Sequence, residues 1–211
     1  MQSVKMGRRA AFGLVLLAGF SSALAFPAHA DQSVTEPIKQ LNDALLQIMH
    51  KGRSTPFNER YQMLAPVVEQ TFDLQAVLQE SVGPTWPTLS ADQQAALMAA
   101  FRRYTIASYV NSFDTFSGQR FDVNPSSRSL PNGEQIVDTH ITPVSGIGHA
   151  LDYVMRKVGA QWRIVDVLAD GAVSRVAVQR SDFRRLLRQG GPTALAETLK
   201  NKSADLAEGT A

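Results

Sequence analysis

The stretch from Leu151 to Leu187 narrows the fold more than any other part of the chain. It opens as Leu151-Asp152-Tyr153-Val154-Met155-Arg156, turns at Gly159-Ala160, and returns as Trp162-Arg163-Ile164-Val165-Asp166-Val167. Two runs rich in β-branched and aromatic residues around a glycine turn predict an antiparallel hairpin. Alternation puts Leu151, Tyr153 and Met155 on one face of the first strand. It puts Trp162, Ile164, Asp166 and Leu168 on one face of the second. After Asp170-Gly171-Ala172-Val173-Ser174, the residues Val173, Val176, Phe183 and Leu187 recur at helical spacing. A hairpin that runs straight into an amphipathic helix buries its apolar face by laying that helix on the sheet.

The N-terminus reads as an address. Lys5, Arg8 and Arg9 form a positive n-region, Ala10 to Phe26 is an apolar core, and Ala28-His29-Ala30 is a small-x-small cleavage pattern. Residues 1–30 are therefore expected to be a cleaved signal peptide, exported by the Sec or the twin-arginine route. The apolar run is short for a bilayer span, and no Cys follows it to carry a lipid anchor. Residues 31–202 are expected to form a single domain, and 203–211 a small, polar, flexible tail. Without the three basic residues of the signal, acids and bases nearly balance, which removes the compositional case for nucleic acid. With no Cys, disulfides and thiolate chemistry are excluded.

Within the domain, Ile38, Leu41, Leu45 and Ile48 predict a first helix ending at Gly52. Thr55-Pro56 reads as N-cap and first residue of a second helix, bent at Pro66. Asp73 reads as the cap of a short helix, and Ser90-Ala91-Asp92-Gln93 as a capping box. The helix after that box is expected to reach about Phe116, with Leu97, Phe101, Tyr104, Ser108 and Phe113 on one stripe. Strands are expected at Arg120 to Val123 and Gln135 to Val144, the latter with Val137, Thr139 and Ile141 on one face. Helices, then strands, then a helical segment interrupted at Gly190-Gly191-Pro192 give an α+β class: a curved antiparallel β-sheet with helices packed on one side.

Few residues group into a chemistry. Metalloprotease, nucleophile-elbow and phosphate-loop motifs are absent. Asp138, His140 and His149 lack a clear fourth ligand, so no metal or other cofactor is expected. Asp152, Asp166 and Asp170 are carboxylates for acid–base work in an enzyme reading, or partners of Arg156 and Arg163 across the hairpin in a structural one. Arg175, Arg180, Arg184, Arg185 and Arg188 make a basic helix face. It is either a solvated surface or a landing site for an acidic partner or anionic headgroups, with Arg180, Arg184, Arg185 and Arg188 as the contact residues.

Taken in order, these motifs resemble the MlaC-type toluene-tolerance family of periplasmic lipid-binding proteins. The likeness runs from Phe57-x-x-Arg60-Tyr61 through Phe72-Asp73, Leu89-Ser90, Phe101, Tyr109 and Phe116-x-Gly118 to Phe121. It continues with Tyr153-x-Met155, Trp162-x-Ile164-x-Asp166-Val167, Gly171, Ser174, Arg180, Phe183, Gly191 and Leu195–Leu199. One residue is added at Gly171-Ala172-Val173-Ser174, a departure that points to the hopanoid-associated, HpnM-like subgroup. The resemblance implies a non-enzymatic carrier that moves phospholipid, or a hopanoid-like lipid, between inner and outer membranes in an apolar cavity between sheet and helices. It implies an inner-membrane partner, either an ABC transporter with a substrate-binding ring or an RND-type transporter, and an outer-membrane lipoprotein complex. Leu97, Phe101, Phe113, Val137, Ile141, Leu151, Tyr153, Met155, Ile164, Phe183 and Leu187 are the candidate cavity wall. Periodicity alone equally allows all of them to be ordinary core. Two rivals stand beside the carrier: an enzyme of a cone-shaped α+β fold using Asp152 or Asp166, and a cargo-free periplasmic adaptor.

Overall fold

The computed structural model describes Met1 and residues 32–209; the expected signal peptide lies outside the described residues. Helix α1 (Glu36–Lys51) places Ile38, Leu41, Leu45 and Ile48 wholly inside. It stops at Gly52, which takes a positive φ and returns its N–H to the Ile48 carbonyl. Helix α2 (Phe57–Thr71) runs through Pro66 without a break. Pro56 holds its N-cap position in place of Thr55, whose hydroxyl is spent on the Lys51 carbonyl at the end of α1. The buried Arg60 donates to the Thr55 carbonyl, and across the domain to the Val110 carbonyl.

Asp73 caps α3 (Leu74–Val82) by accepting the Ala76 N–H at 2.9 Å. A 3-10 turn (Gly83–Thr88) follows, then α4 (Ala91–Ser112), opened by a complete Ser90–Gln93 capping box. The expected end near Phe116 comes early. Phe113 leaves helical geometry and its ring packs between Tyr109 and Phe121, so contact with the sheet wins over one more helical turn.

Strands β1 (Arg120–Ser129), β2 (Gln135–Thr142), β3 (His149–Val158), β4 (Gln161–Ala169) and β5 (Val173–Ser174) form one antiparallel sheet in chain order, curved and unclosed. β1 runs beyond its expected end at Val123, with a register irregularity between Val123 and Ser127. The expected shared face of Trp162, Ile164, Asp166 and Leu168 is broken. A bulge pairs Val154 with Asp166 but Met155 with Ile164, leaving Val165 extra. Ile164 and Val167 therefore join the main core, while Val165 and Leu168 join a smaller cluster with Ile136 and Val154. Asp170 and Gly171 both take positive φ in the β4–β5 turn, and Ala172 returns its N–H to Ala169, as an Asp-Gly type I′ turn requires.

Helix α5 (Arg175–Glu208) is two helices joined at a kink, with Gly190 and Gly191 non-helical before Pro192. It continues beyond Lys202, where a flexible tail is expected: Ser203 is fully buried and bonds the Leu199 carbonyl. The main core lies between the sheet face carrying Val137, Tyr153, Met155 and Ile164 and a helix layer carrying Leu45, Leu64, Leu78, Phe101, Phe183 and Leu199. Among the described residues no helix is long and apolar enough to cross a membrane.

The outer edge of β4 is closed at two points. Phe72 bridges Ile164, whose carbonyl accepts the Asp73 N–H at 2.9 Å, and β5 pairs with Leu168 and Ala169. Between them Asp166 takes the place of a neighbouring strand. Its carboxylate accepts the Val167 N–H at 2.8 Å, the Val176 N–H at 3.0 Å and the Ser174 hydroxyl. Ser174 in turn caps α5 through the Ala177 N–H. Replacing Asp166 with Ala leaves these donors without their acceptor, and urea unfolding should show a loss of about 2–3 kcal/mol.

Candidate functional site

The gap in the edge of β4 is where a cavity of about 270 Å³ opens between sheet and helices. Phe72, Leu74 and Val77 enter it from the start of α3, and Leu151, Val167 and Ala169 from the sheet. α4 supplies the longest wall: Phe101, Tyr104, Thr105, Ser108, Tyr109, Ser112 and the following Phe113. Asp166, Arg175, Val176 and Gln179 close the side where β4 hands over to α5. Arg175 and Ser112 are exposed and mark the mouth.

Of the wall residues expected from sequence, Phe101, Phe113 and Leu151 line this cavity. Leu97, Val137, Tyr153, Met155, Ile164 and Phe183 are packed in the main core instead, and Ile141 is half-buried on β2 away from the lining. Leu187 lines a separate cleft, described below. Sequence reasoning missed the polar part of the wall. The available signal was Ser108 within an otherwise apolar stripe, with Thr105 and Ser112 three and four residues to either side. Ala172 is exposed and outside the lining, so the added residue lengthens a surface turn and leaves the cavity wall unchanged.

Charge is placed unevenly around the cavity. The Asp166 carboxylate is engaged by three donors, at least one on each oxygen. Arg175 makes no ion pair among the described residues, and its charge falls on Tyr109, partly opposing the burial that pushes that phenol well above its usual range. Burial likewise raises Tyr153. The site therefore pairs a mostly apolar interior with one uncommitted cation at its mouth.

The other candidate groups lie elsewhere. Asp152 faces the opposite side of the sheet, where Arg128 reaches it at 3.3 Å and Asp138 at 2.8 Å, and where it accepts the Thr139 N–H. It does not line the cavity, so Asp152 and Asp166 do not form a catalytic pair. The expected cross-hairpin ion pairs are replaced. Arg156 bridges Glu80 and Glu134, and Arg163 reaches the Glu69 carbonyl and Gln161. Asp138 is held by Arg128, His140 is exposed, and His149 faces Asp170 at 3.8 Å.

A second cleft, of about 360 Å³, lies between the 3-10 turn and the α5 kink. It is lined by Val82, Pro84, Thr85, Arg180, Arg184, Leu187, Arg188, Gly191 and Pro192. The three arginines are spaced by four along one face of α5, and no carboxylate lines the cleft. Arg180 is held by the Glu80 carbonyl at 2.6 Å, while Arg185 points toward Asp182 and is not part of the lining.

Comparison with known proteins adds two findings. The family model described as MlaC protein matches residues 39–201. The fold is similar to that of the phospholipid-binding protein from Ralstonia solanacearum, solved in complex with a phospholipid. The TM-score is 0.72 at 19% sequence identity, over 83% of this chain and 99% of that one.

Desolvation raises the pKa of Asp152, with the Thr139 N–H opposing. A raised carboxyl pKa means the fold favours the neutral form, so stability falls as pH rises through it. Asn keeps an acceptor for Thr139 and carries no charge. Thermal melts should show Asp152→Asn gaining on the wild type as the pH rises above about 4, where the unfolded carboxyl ionises.

Proposed function

The chain belongs to the MlaC family, and from that premise we propose that it is a non-enzymatic periplasmic carrier of anionic phospholipid. The observation that carries the reading is the cavity itself: an apolar interior opening beside Arg175, which has no protein counter-ion among the described residues. The fold shared with a protein solved around a phospholipid supports it. A lipid that leaves a bilayer unaided exposes its chains to water at about 0.8 kcal/mol per methylene, or roughly 12 kcal/mol for a chain of about fifteen. A mostly apolar wall offsets that cost, and a cation at the mouth suits a phosphate.

As it stands, the cavity falls just below the range of about 300–1,000 Å³ typical of small-molecule sites. A two-chain cargo must therefore part the walls. α5 is the wall suited to this, since only its first half lines the cavity.

In this reading the protein shuttles between inner and outer membranes, taking lipid from or giving it to a transporter on one side and a lipoprotein complex on the other. The arginine cleft shares no lining residue with the cavity and suits an acidic segment of such a partner, since three guanidiniums meet no carboxylate there. Reversing Arg184 and Arg188 to Glu should leave lipid affinity unchanged. It should slow salt-sensitive lipid exchange with proteoliposomes carrying the inner-membrane transporter.

Native mass spectrometry of the protein purified from periplasm tests the carrier reading. The expected result is a mass increment that organic solvent removes and that fragments as a phospholipid. Spectra of bare chain alone would sink the reading, and a polycyclic increment would move the cargo to a hopanoid-like lipid. Ala169→Phe, which fills the cavity from the sheet side, should reduce loading at least tenfold while the melting temperature holds within a few degrees.

A further inference from the structure

Within residues 32–209, six large apolar side chains stand exposed: Phe116, Val144, Ile147, Val158, Val173 and Val178. Scattered singly over a surface they would need no explanation. They are not scattered. In this antiparallel meander β1 and β3 begin, and β2 and β4 end, at the same end of the sheet. Phe116 lies in the link that enters β1, Val144 and Ile147 in the β2–β3 loop (residues 143–148), and Val173 directly after the β4–β5 turn. Val178 belongs to the first turn of α5, which follows β5 without a gap. Val158, at the end of β3, is at the opposite end.

Contacts tie this end to the cavity wall. Val144 packs on Gly118 so closely that a Cβ there would come within 2.3 Å of its Cγ2. Phe116, two residues before Gly118, packs on the His50 ring at 3.9 Å. Phe113 lines the cavity and meets Phe121, which pairs with Ile141 just ahead of the loop. His149, just after the loop, faces Asp170 at 3.8 Å. Asp170 follows Ala169, which pairs with Leu151, and both of these line the cavity. Val144 is 75% exposed and Ile147 89%, so the loop holds two aliphatic side chains in solvent next to residues adjoining the lining.

The charges here sort by sign. Asp114 is paired with Arg53 at 2.7 Å, Asp122 accepts from the Thr142 hydroxyl, and Asp170 faces His149. Lys51, beside His50, is exposed, as are Arg120 and Arg175, and these three make no ion pair among the described residues. Exposed aliphatics with unpaired cations nearby match a bilayer interface, where apolar side chains enter the headgroup layer and cations meet lipid phosphates. A protein interface draws its affinity from aromatic and arginine anchors in packed pockets. Ile147 instead stands between Gly146 and Gly148 on a loop.

We propose that this end of the domain seats on an anionic bilayer, with Val144 and Ile147 entering the headgroup layer and Lys51, Arg120 and Arg175 over lipid phosphates. The surface rests on the carrier reading for its use, which is to bring the cavity wall to the membrane that gives or takes the lipid. It shares no residue with the arginine cleft. Even one buried myristoyl chain gives only marginal, reversible membrane binding. Two short side chains give less, so the carrier leaves after each exchange.

The test is co-sedimentation of the protein purified from periplasm with vesicles of phosphatidylglycerol or of phosphatidylcholine at low salt. Wild type should bind the phosphatidylglycerol vesicles at least fivefold better, since each cation near an anionic surface is worth about fivefold. Ile147→Asp should weaken that binding at least tenfold with an unchanged melting temperature, because the position is exposed. Arg120→Glu should weaken it at least fivefold. Equal vesicle binding by wild type and Ile147→Asp overturns the proposal, as does wild type that binds neither vesicle. In the latter case, slower exchange by Ile147→Asp with transporter proteoliposomes would assign the loop to a protein partner. A soluble short-chain phosphatidylglycerol tests the carrier reading separately. It should bind wild type and Ile147→Asp alike, because Ile147 is not part of the lining. If wild type binds vesicles but not the short-chain lipid, the carrier reading falls while the membrane surface stands.

Discussion

The structure turns on an incomplete strand edge. A strand presents a row of backbone donors and acceptors that must be matched, and β4 is matched in three different ways along one side. Phe72 and Asp73 join it at Ile164, a two-residue strand joins it at Leu168 and Ala169, and the Asp166 carboxylate serves the interval. The bulge at Val165 makes this possible, because it turns the chain's side chains over between the first contact and the second. Had a full strand paired along this edge, no opening would lead from solvent to the space under the helices. The same carboxylate that closes the edge also fixes where α5 begins, so the opening and the helix beside it are set by one group.

Why that space persists is a matter of what faces it. A cavity bounded only by flexible aliphatic chains tends to collapse as its walls relax. Here α4 presents rings at Phe101, Tyr104, Tyr109 and Phe113, with Tyr109 and Phe113 stacked at 6.0 Å and Phe101 set edge-on to Phe183 at 6.2 Å. Rings braced by other rings cannot fold inward to fill the void, and the hydroxyls among them are poor material for a dry core. The apolar residues behind them, Leu97 and Ile106 among others, pack fully and hold α4 in place.

What could be read from the chain followed how local each feature is. The Asp73 cap, the Ser90–Gln93 box, the stop at Gly52 and the hairpin at Gly159 depend on a few neighbouring residues, and all form where the pattern puts them. The α+β layering was legible for the same reason, summed over the chain. The misplaced features depend on distant partners. Nothing near Val165 signals a bulge, and Phe72, which bridges the neighbouring Ile164, arrives from another part of the chain. Nothing near Ser112 signals a helix end, because Phe113 is drawn off by Phe121. The hardest distinction was core against cavity. Leu97 and Phe101 lie one turn apart on one stripe and are equally enclosed, yet the second borders the cavity and the first does not. Which of the two meets empty space is decided by the layer opposite, and periodicity carries no record of it.

The break in α5 divides its work. The half after Pro192 is bolted down by Leu195, Leu199 and Ser203, which are almost wholly enclosed. The half before Gly190 holds on by Val176, Phe183 and the Arg180 tether, and it supplies one side of the opening. Gly190 and Gly191 depart from helical φ and ψ between the two halves, so each half follows its own direction. The long helix is thus two anchored pieces, one serving the cavity wall and the other the core, and a change in the first need not disturb the packing of the second.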